Sequence, residues 1–322
     1  MESSASVLRT QLLAFGMAWK RSWFGAVAPL AWLALGCRNG ADAVASPDLK
    51  VQPAAASASA QPSNVSSAPI ATASSEPSVP APRPWPPAPP AVTSDFCIEG
   101  VSALDEETCY ALPASPTTEL LLYLHGIVPP GKTSRQKTNF ETVVQNSSRR
   151  AGVAALMPRG ELGLAPKGHS DWWGWPTTAA AHAKWSPKLL LKLADKRRKL
   201  EELVGRPFTR LYVAGSSSGA YYAITLALSG DLTQELEADG FAAISGAASR
   251  HAIPAGLSPR PFYIGYGTLD TVAGAASALS ARLREAGWPV QVAARPLPHG
   301  TAEVYLDEAF AFWRQHLTAA PK

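Results

Sequence analysis

Ser217 has the sequence surroundings of a covalent nucleophile. It lies in Gly215-Ser216-Ser217-Ser218-Gly219, between an apolar, β-leaning run at 211–214 and a helix-compatible run at 220–228. A strand, a sharp turn and a helix hold such a serine at the turn apex with its hydroxyl exposed. Gly215 and Gly219 permit the turn and a close approach of neighbouring chain, because neither carries a Cβ. In a chain rich in Gly and Ser the bare pattern also arises by chance, so its chemistry requires partners elsewhere. A serine hydroxyl becomes a competent nucleophile when a base takes its proton, and an imidazole base requires an orienting carboxylate. Asp270 follows an apolar run at 261–266, and His299 follows another at 290–294. Alone, Asp270 reads as a helix cap and His299 as an exposed loop residue. In chain order, at the ends of consecutive predicted strands, the three form a candidate triad.

The elements that must position these residues are legible as alternating patterns. Strands are predicted at 118–124, 153–157, 209–214, 240–245, 261–266 and 290–294. The first is a continuous apolar run, as expected of a parallel strand buried on both faces. Helices are predicted at about 134–150, 186–204, 220–228, 273–286 and 302–317, the second with Ser186 as N-cap and Pro187 at its first position. Its row of lysines and arginines reads as a solvated face. Strands alternating with helices imply an α/β fold, with a mostly parallel central sheet and helices on both faces. Reactive groups then gather at the carboxyl ends of the strands. The loop at 158–176 contains His169, Asp171, Trp172, Trp173 and Trp175. Trp172 and Trp173 are candidate substrate-binding residues that wall a pocket, with packing of the loop onto the domain as the alternative.

Residues from about 97 to 317 resemble an α/β-hydrolase. The resemblance is carried by Leu122-Tyr123-Leu124-His125-Gly126, Gly215-Ser216-Ser217-Ser218-Gly219, Gly267-Thr268-Leu269-Asp270 and Pro298-His299-Gly300. The compact spacing is similar to the esterase group that includes polyhydroxybutyrate depolymerase-like and feruloyl-esterase-like enzymes. The resemblance implies the chain order nucleophile, acid, base, under which His125, His169 and His182 precede the serine and His251 precedes the acid, while His316 fits less well because it lies inside the final predicted helix. It also implies an oxyanion hole formed by the main-chain N–H groups of Ile127 and Ser218. His125 has a purely structural reading beside this one. An acyl-enzyme mechanism without metal or organic cofactor follows from the same resemblance, and no insertion long enough for a large cap domain separates the strands at 240–245 and 261–266.

The 322 residues and their 46% hydrophobic content suffice for a sizeable core, and a net charge of +4 is too small to argue for nucleic acid. The three cysteines are too scattered for a zinc site. Residues 1–36 read as a signal peptide, with Met17 a candidate start, Lys20 and Arg21 as the basic region and an apolar stretch at 22–35. Ala34-Leu35-Gly36-Cys37 resembles a bacterial lipobox, although Ala34 stands where Leu is usual; Cys37 is the candidate lipidation site. Residues 37–92 are dominated by Ala, Ser and Pro and read as a disordered tether, stiffening towards polyproline II at its end. The folded domain is expected over 93–322. In an exported protein Cys97 and Cys109 are expected to pair as a disulfide, with two free thiols as the alternative.

The reading that follows is a serine hydrolase held in the cell envelope through a lipid on Cys37, or else secreted. It acts on a small-molecule or polymeric carboxylic ester. A peptidase or amidase on the same triad, and a non-catalytic surface lipoprotein that binds through a hydrolase fold, are the alternatives.

Overall fold

The computed structural model of the protein describes residues 84–87, 92–131, 133–247 and 252–318. The signal peptide, Cys37 and most of the tether lie outside them. In chain order the elements are β1 (Ser102–Asp105), β2 (Thr108–Ala111), β3 (Glu119–Leu124), α1 (Arg135–Ala151), β4 (Ala154–Pro158), β5 (Glu161–Leu162) and β6 (Trp173–Gly174). They continue with α2 (Ala179–Val204), β7 (Arg210–Ser216), α3 (Ser218–Ser229), β8 (Gly240–Ile244), β9 (Phe262–Gly267), α4 (Ala273–Glu285), β10 (Val290–Arg295) and α5 (Glu303–Thr318).

Eight strands form one sheet in the order β1-β2-β4-β3-β7-β8-β9-β10. The six from β4 to β10 are parallel, and the hairpin β1–β2 adds an antiparallel margin through the β2–β4 pair. The apolar runs require cover on both faces, and the alternation of strand side chains distributes it. From β3, Leu120, Leu122 and Leu124 face a core shared with α2, α3 and α4, while Leu121 and Tyr123 face one shared with α1 and α5. Burying each such side chain contributes roughly 1.5–3 kcal/mol.

Most helix ends follow local chemistry. Ser134 caps α1, its hydroxyl accepting from the Lys137 N–H at 3.1 Å. Gly152 ends it in the left-handed region at φ 68°. One start departs from expectation. α2 begins at Ala179, two turns before Ser186, with Thr178 as its N-cap accepting from the Ala181 N–H at 3.2 Å. Ser186 is instead buried within the helix, where its hydroxyl donates to the Tyr222 hydroxyl at 3.1 Å. The run of alanines ahead of Pro187 propagates the helix more strongly than proline interrupts it.

Two features attach the N-terminal margin. The Cys97–Cys109 disulfide joins Cα atoms 5.5 Å apart and encloses the first strand of the β1–β2 hairpin. Trp85, in the proline-rich run ahead of the expected start near Thr93, packs on the domain. Its indole N–H donates to the Pro113 carbonyl at 2.9 Å, and the Arg206 guanidinium lies 5.2 Å from its ring. Among the described residues no helix is long and apolar enough to cross a membrane.

Candidate active site

β7 ends at Ser216 and α3 begins at Ser218, so Ser217 alone makes the turn. Its backbone has φ 50° and ψ −117°, a conformation costing an L-residue about 1–3 kcal/mol. Neighbours hold it there: the Ser217 N–H donates to the Ile244 carbonyl of β8 at 3.0 Å, and the Ser217 carbonyl accepts from the Ala220 N–H at 3.0 Å. A Cβ on Gly219 would lie 1.9 Å from the Leu124 carbonyl oxygen, and one on Gly215 would lie 2.3 Å from the Gly219 backbone. The two glycines are therefore required by the contact of β7, α3 and the end of β3.

Asp270 and His299 come from the ends of adjacent strands. Asp270 lies in the turn after β9, where its N–H donates to the Gly267 carbonyl at 3.0 Å. α4 is preceded by Val272 at its cap, with no side-chain cap bond. The Asp270 carboxylate is directed to His299, accepting from Nδ1 at 2.7 Å. The acid side chain is 3% exposed and the imidazole 52% exposed, so the pair presents a buried carboxylate behind an accessible ring. With Nδ1 as donor, Nε2 is an acceptor in the neutral ring.

Ser245, which the sequence reading passed over, anchors the His299 loop. It directly follows β8, is wholly buried and has φ 48°. Its hydroxyl donates to the Gly300 carbonyl at 2.9 Å and accepts from the Gly300 N–H at 3.1 Å. The next residue, Thr301, shares a 2.7 Å hydrogen bond with the Tyr123 hydroxyl. The loop after β10 is thus tied to β8 and β3, and burial pushes the Tyr123 phenol up to about 12.

His125 does structural work. It is fully buried, 5.4 Å from the Phe140 ring and 5.5 Å from the Trp175 ring. Burial lowers its pKa to about 4, so the ring is neutral near pH 7. Nε2 accepts from the Gly160 N–H at 2.9 Å, which leaves Nδ1–H to donate to the Gly126 carbonyl. A trans peptide sets its C=O and N–H in opposite directions. The bond to Gly126 therefore also sets the direction of the Ile127 N–H. Among the described residues, neither this N–H nor that of Ser218 has an acceptor in the protein. For Ser218 the cause is its place at the start of α3, where helical N–H groups lack intrahelical partners.

One cavity of about 700 Å³ gathers Gly126, Ile127, Ser217 and His299. Asp270 sits behind His299. The two tryptophans separate. Trp172 lines the cavity. Trp173 does not; it exchanges main-chain hydrogen bonds with Val128 at 2.9 and 3.0 Å, and its ring meets Phe96 edge-on at 5.7 Å. Neighbouring residues entering a strand point to opposite sides, so only one of the pair can face the cavity. The sequence reading also passed over Arg135, Gln136 and Asn139 of α1 and Tyr305 of α5, which line the same space. Among the described residues no three His, Cys, Asp or Glu side chains converge as metal ligands.

With the β5–β6 ribbon set aside, the sheet order, the turn after its fifth strand and the acid–imidazole pair after its last two define the architecture. The fold is that of the α/β-hydrolases. No protein-family model and no curated protein matches the chain. Solved structures do. Esterase PE8 is 18% identical, with 64% of this chain and 95% of that chain covered and a TM-score of 0.46. The Bacillus cereus carboxylesterase is 14% identical, with 67% and 95% covered and a TM-score of 0.48. The Staphylococcus aureus fluorophosphonate-binding serine hydrolase FphF is 15% identical, with 66% and 91% covered and a TM-score of 0.41.

Proposed function

We propose that the protein is a serine hydrolase that cleaves carboxylic esters through an acyl-enzyme. The observation that carries this reading is the 2.7 Å Asp270–His299 hydrogen bond beside the cavity that His299 shares with the strained Ser217. In the proposed reaction the Ser217 Oγ attacks the ester carbonyl carbon while His299 Nε2 takes its proton. Asp270 holds the ring in the required tautomer and stabilises the imidazolium. The Ile127 and Ser218 N–H groups receive the oxyanion, the first kept in direction by the His125–Gly126 bond; such a donor is worth about 3–4 kcal/mol in the transition state. His299 returns the proton to the departing alkoxide. Water, activated by the same imidazole, then cleaves the acyl-enzyme and frees the acid.

An extracytoplasmic setting accords with this reading, because a disulfide persists where thiols are not kept reduced. Attachment through a lipid on Cys37 belongs to the same proposal. Growth with a labelled fatty acid is expected to label the chain, and Cys37→Ser to abolish that label and release the protein from the membrane fraction.

The decisive measurement is turnover of short- and medium-chain p-nitrophenyl esters, with covalent labelling by a fluorophosphonate. Ser217→Ala and His299→Ala are each expected to lower kcat by about 10⁴-fold or more, and Ser217→Ala to abolish labelling. Neither turnover nor labelling of the folded wild-type protein would overturn the proposal. A matched anilide series reports ester against amide preference, and faster anilide cleavage would transfer the assignment to an amidase.

A further inference from the structure

We propose that the ester cleaved at this site carries an anionic group, which Arg135 binds at the α1 wall of the cavity. The proposal rests on the serine-hydrolase reading above and specifies its substrate class.

The argument begins with unequal use of charge. No Asp or Glu is among the residues lining the cavity, whereas Arg135 is. Arg150, at the other end of α1, is paired with Glu303 and Asp307, and Arg159, after β4, with Glu107. Arg135 is exposed and has no ion pair or hydrogen bond among the described residues. A guanidinium left without a carboxylate beside a catalytic serine is a preset fork for a planar anion. The single carboxylate of α1, Glu141, does not answer it. That side chain is buried, and it accepts from the Ile98 N–H at 2.8 Å.

The surroundings of Arg135 supply further donors. Gln136 and Asn139 line the same wall and are likewise exposed without protein partners among the described residues. Residues three and four apart on a helix are surface neighbours, so Asn139 lies one turn along from both Arg135 and Gln136. The first turn of α1 carries no acidic residue to offset its positive end. That helix start is fixed by Lys137, a buried ammonium that donates to the Gly131 carbonyl at 2.9 Å and the Asp95 carbonyl at 3.1 Å. The other lining groups include the apolar Leu297, Tyr305 and Trp172. The cavity therefore suits a short apolar body ending in an anion.

The test uses two pairs of esters, each an anion and its neutral amide isostere. Methyl hydrogen succinate against methyl succinamate places the charge on the acyl side. The second pair, 4-carboxyphenyl acetate against 4-carbamoylphenyl acetate, places it on the alcohol side. At low ionic strength the anionic member of at least one pair is expected to have a kcat/KM about 10-fold higher or more, chiefly through KM. Salt should erode that ratio, because an exposed ion pair is screened. Arg135→Gln should bring the ratio towards one, and Arg135→Glu should invert it, while fluorophosphonate labelling reports that each variant is folded and competent. Ratios near one in both pairs for the wild-type protein, or ratios that the Arg135 variants leave in place, would overturn the anionic-ester proposal alone. Absent turnover of all four esters together with absent labelling would instead overturn the hydrolase reading, and this inference with it.

Discussion

At the scale of the residue, the candidate site is held by groups that do not line its cavity. Ser245 illustrates this. Its buried hydroxyl makes two hydrogen bonds to Gly300, the neighbour of His299, and so limits where the imidazole can swing. Ser245→Ala removes both and leaves a buried N–H and carbonyl unpaired, costing about 1–3 kcal/mol of stability. It is expected to lower kcat about 10-fold or more with KM little changed, and to slow fluorophosphonate labelling in proportion. A loss of stability with kcat unaffected would reduce Ser245 to a packing residue. Gly126 shows a similar constraint by contact: a Cβ there would lie 3.2 Å from the Ser217 Cβ. Ser217, Asp270 and His299 were singled out from motif and chain order, since each proposed role requires a particular functional group. Ser245 was not, because serine at a strand end is common and its role arises only where the β10 loop passes over it. Trp172 and Trp173 were indistinguishable in sequence for the same reason, until the pairing of β6 with β5 gave them opposite faces.

Among the elements, α1 and the residue directly after β3 supply two buried groups, Glu141 and His125, whose protonation affects folding in opposite directions. Burial raises Glu141 to about 7 from its ordinary 4.5. The native state then binds more protons than the unfolded chain between those values, so this group lowers stability as pH rises from 4.5 to 7. His125 does the reverse. Its value falls from 6.5 to about 4, the unfolded chain binds more protons in that interval, and stability is lost as pH falls through it. Each shift corresponds to about 3 kcal/mol at most, so the two contributions largely cancel between pH 4.5 and 6.5. Glu141→Gln keeps an acceptor for the Ile98 N–H and removes the charge. It is expected to stabilise the protein by about 1–3 kcal/mol at pH 8. It should also uncover a fall in denaturant midpoint as pH drops from 7 to 4.5. An unchanged midpoint at pH 8 would contradict the assignment. The six predicted strands and four of the five predicted helices were readable from apolar runs and caps; β1, β2, β5 and β6, only two to four residues long, were not, and α2 starts earlier than expected. There the proline at 187 fitted a helix start, and the alanines before it proved the stronger determinant.

For the whole molecule, the segment ahead of β1 is fastened to β2 by a covalent bond, the Cys97–Cys109 disulfide. Phe96, adjacent to Cys97, is wholly buried with its ring 5.6 Å from His125. The disulfide therefore anchors one wall around the imidazole that aligns the Gly126 peptide. Loop-closure entropy gives a bridge of this span a stabilising contribution of about 3 kcal/mol. Reduction, or a Cys97→Ser/Cys109→Ser double substitution, is expected to lower unfolding free energy by about that amount, with esterase activity falling earlier in a denaturant titration than in the oxidised protein. Equal midpoints with and without reductant would sink this assignment. The sequence by itself determined the alternation of strands and helices, because apolar periodicity reports burial directly. It also determined the order of Ser217, Asp270 and His299, because their chemistry depends on side-chain type. Only the tertiary structure decided which polar groups are paired. It set Asp270 on His299 rather than at a helix cap, enclosed His125 as a neutral support, and left Arg135 without a carboxylate beside the cavity. Those outcomes depend on distances of a few ångströms between residues far apart in the chain, and local sequence carries no record of them.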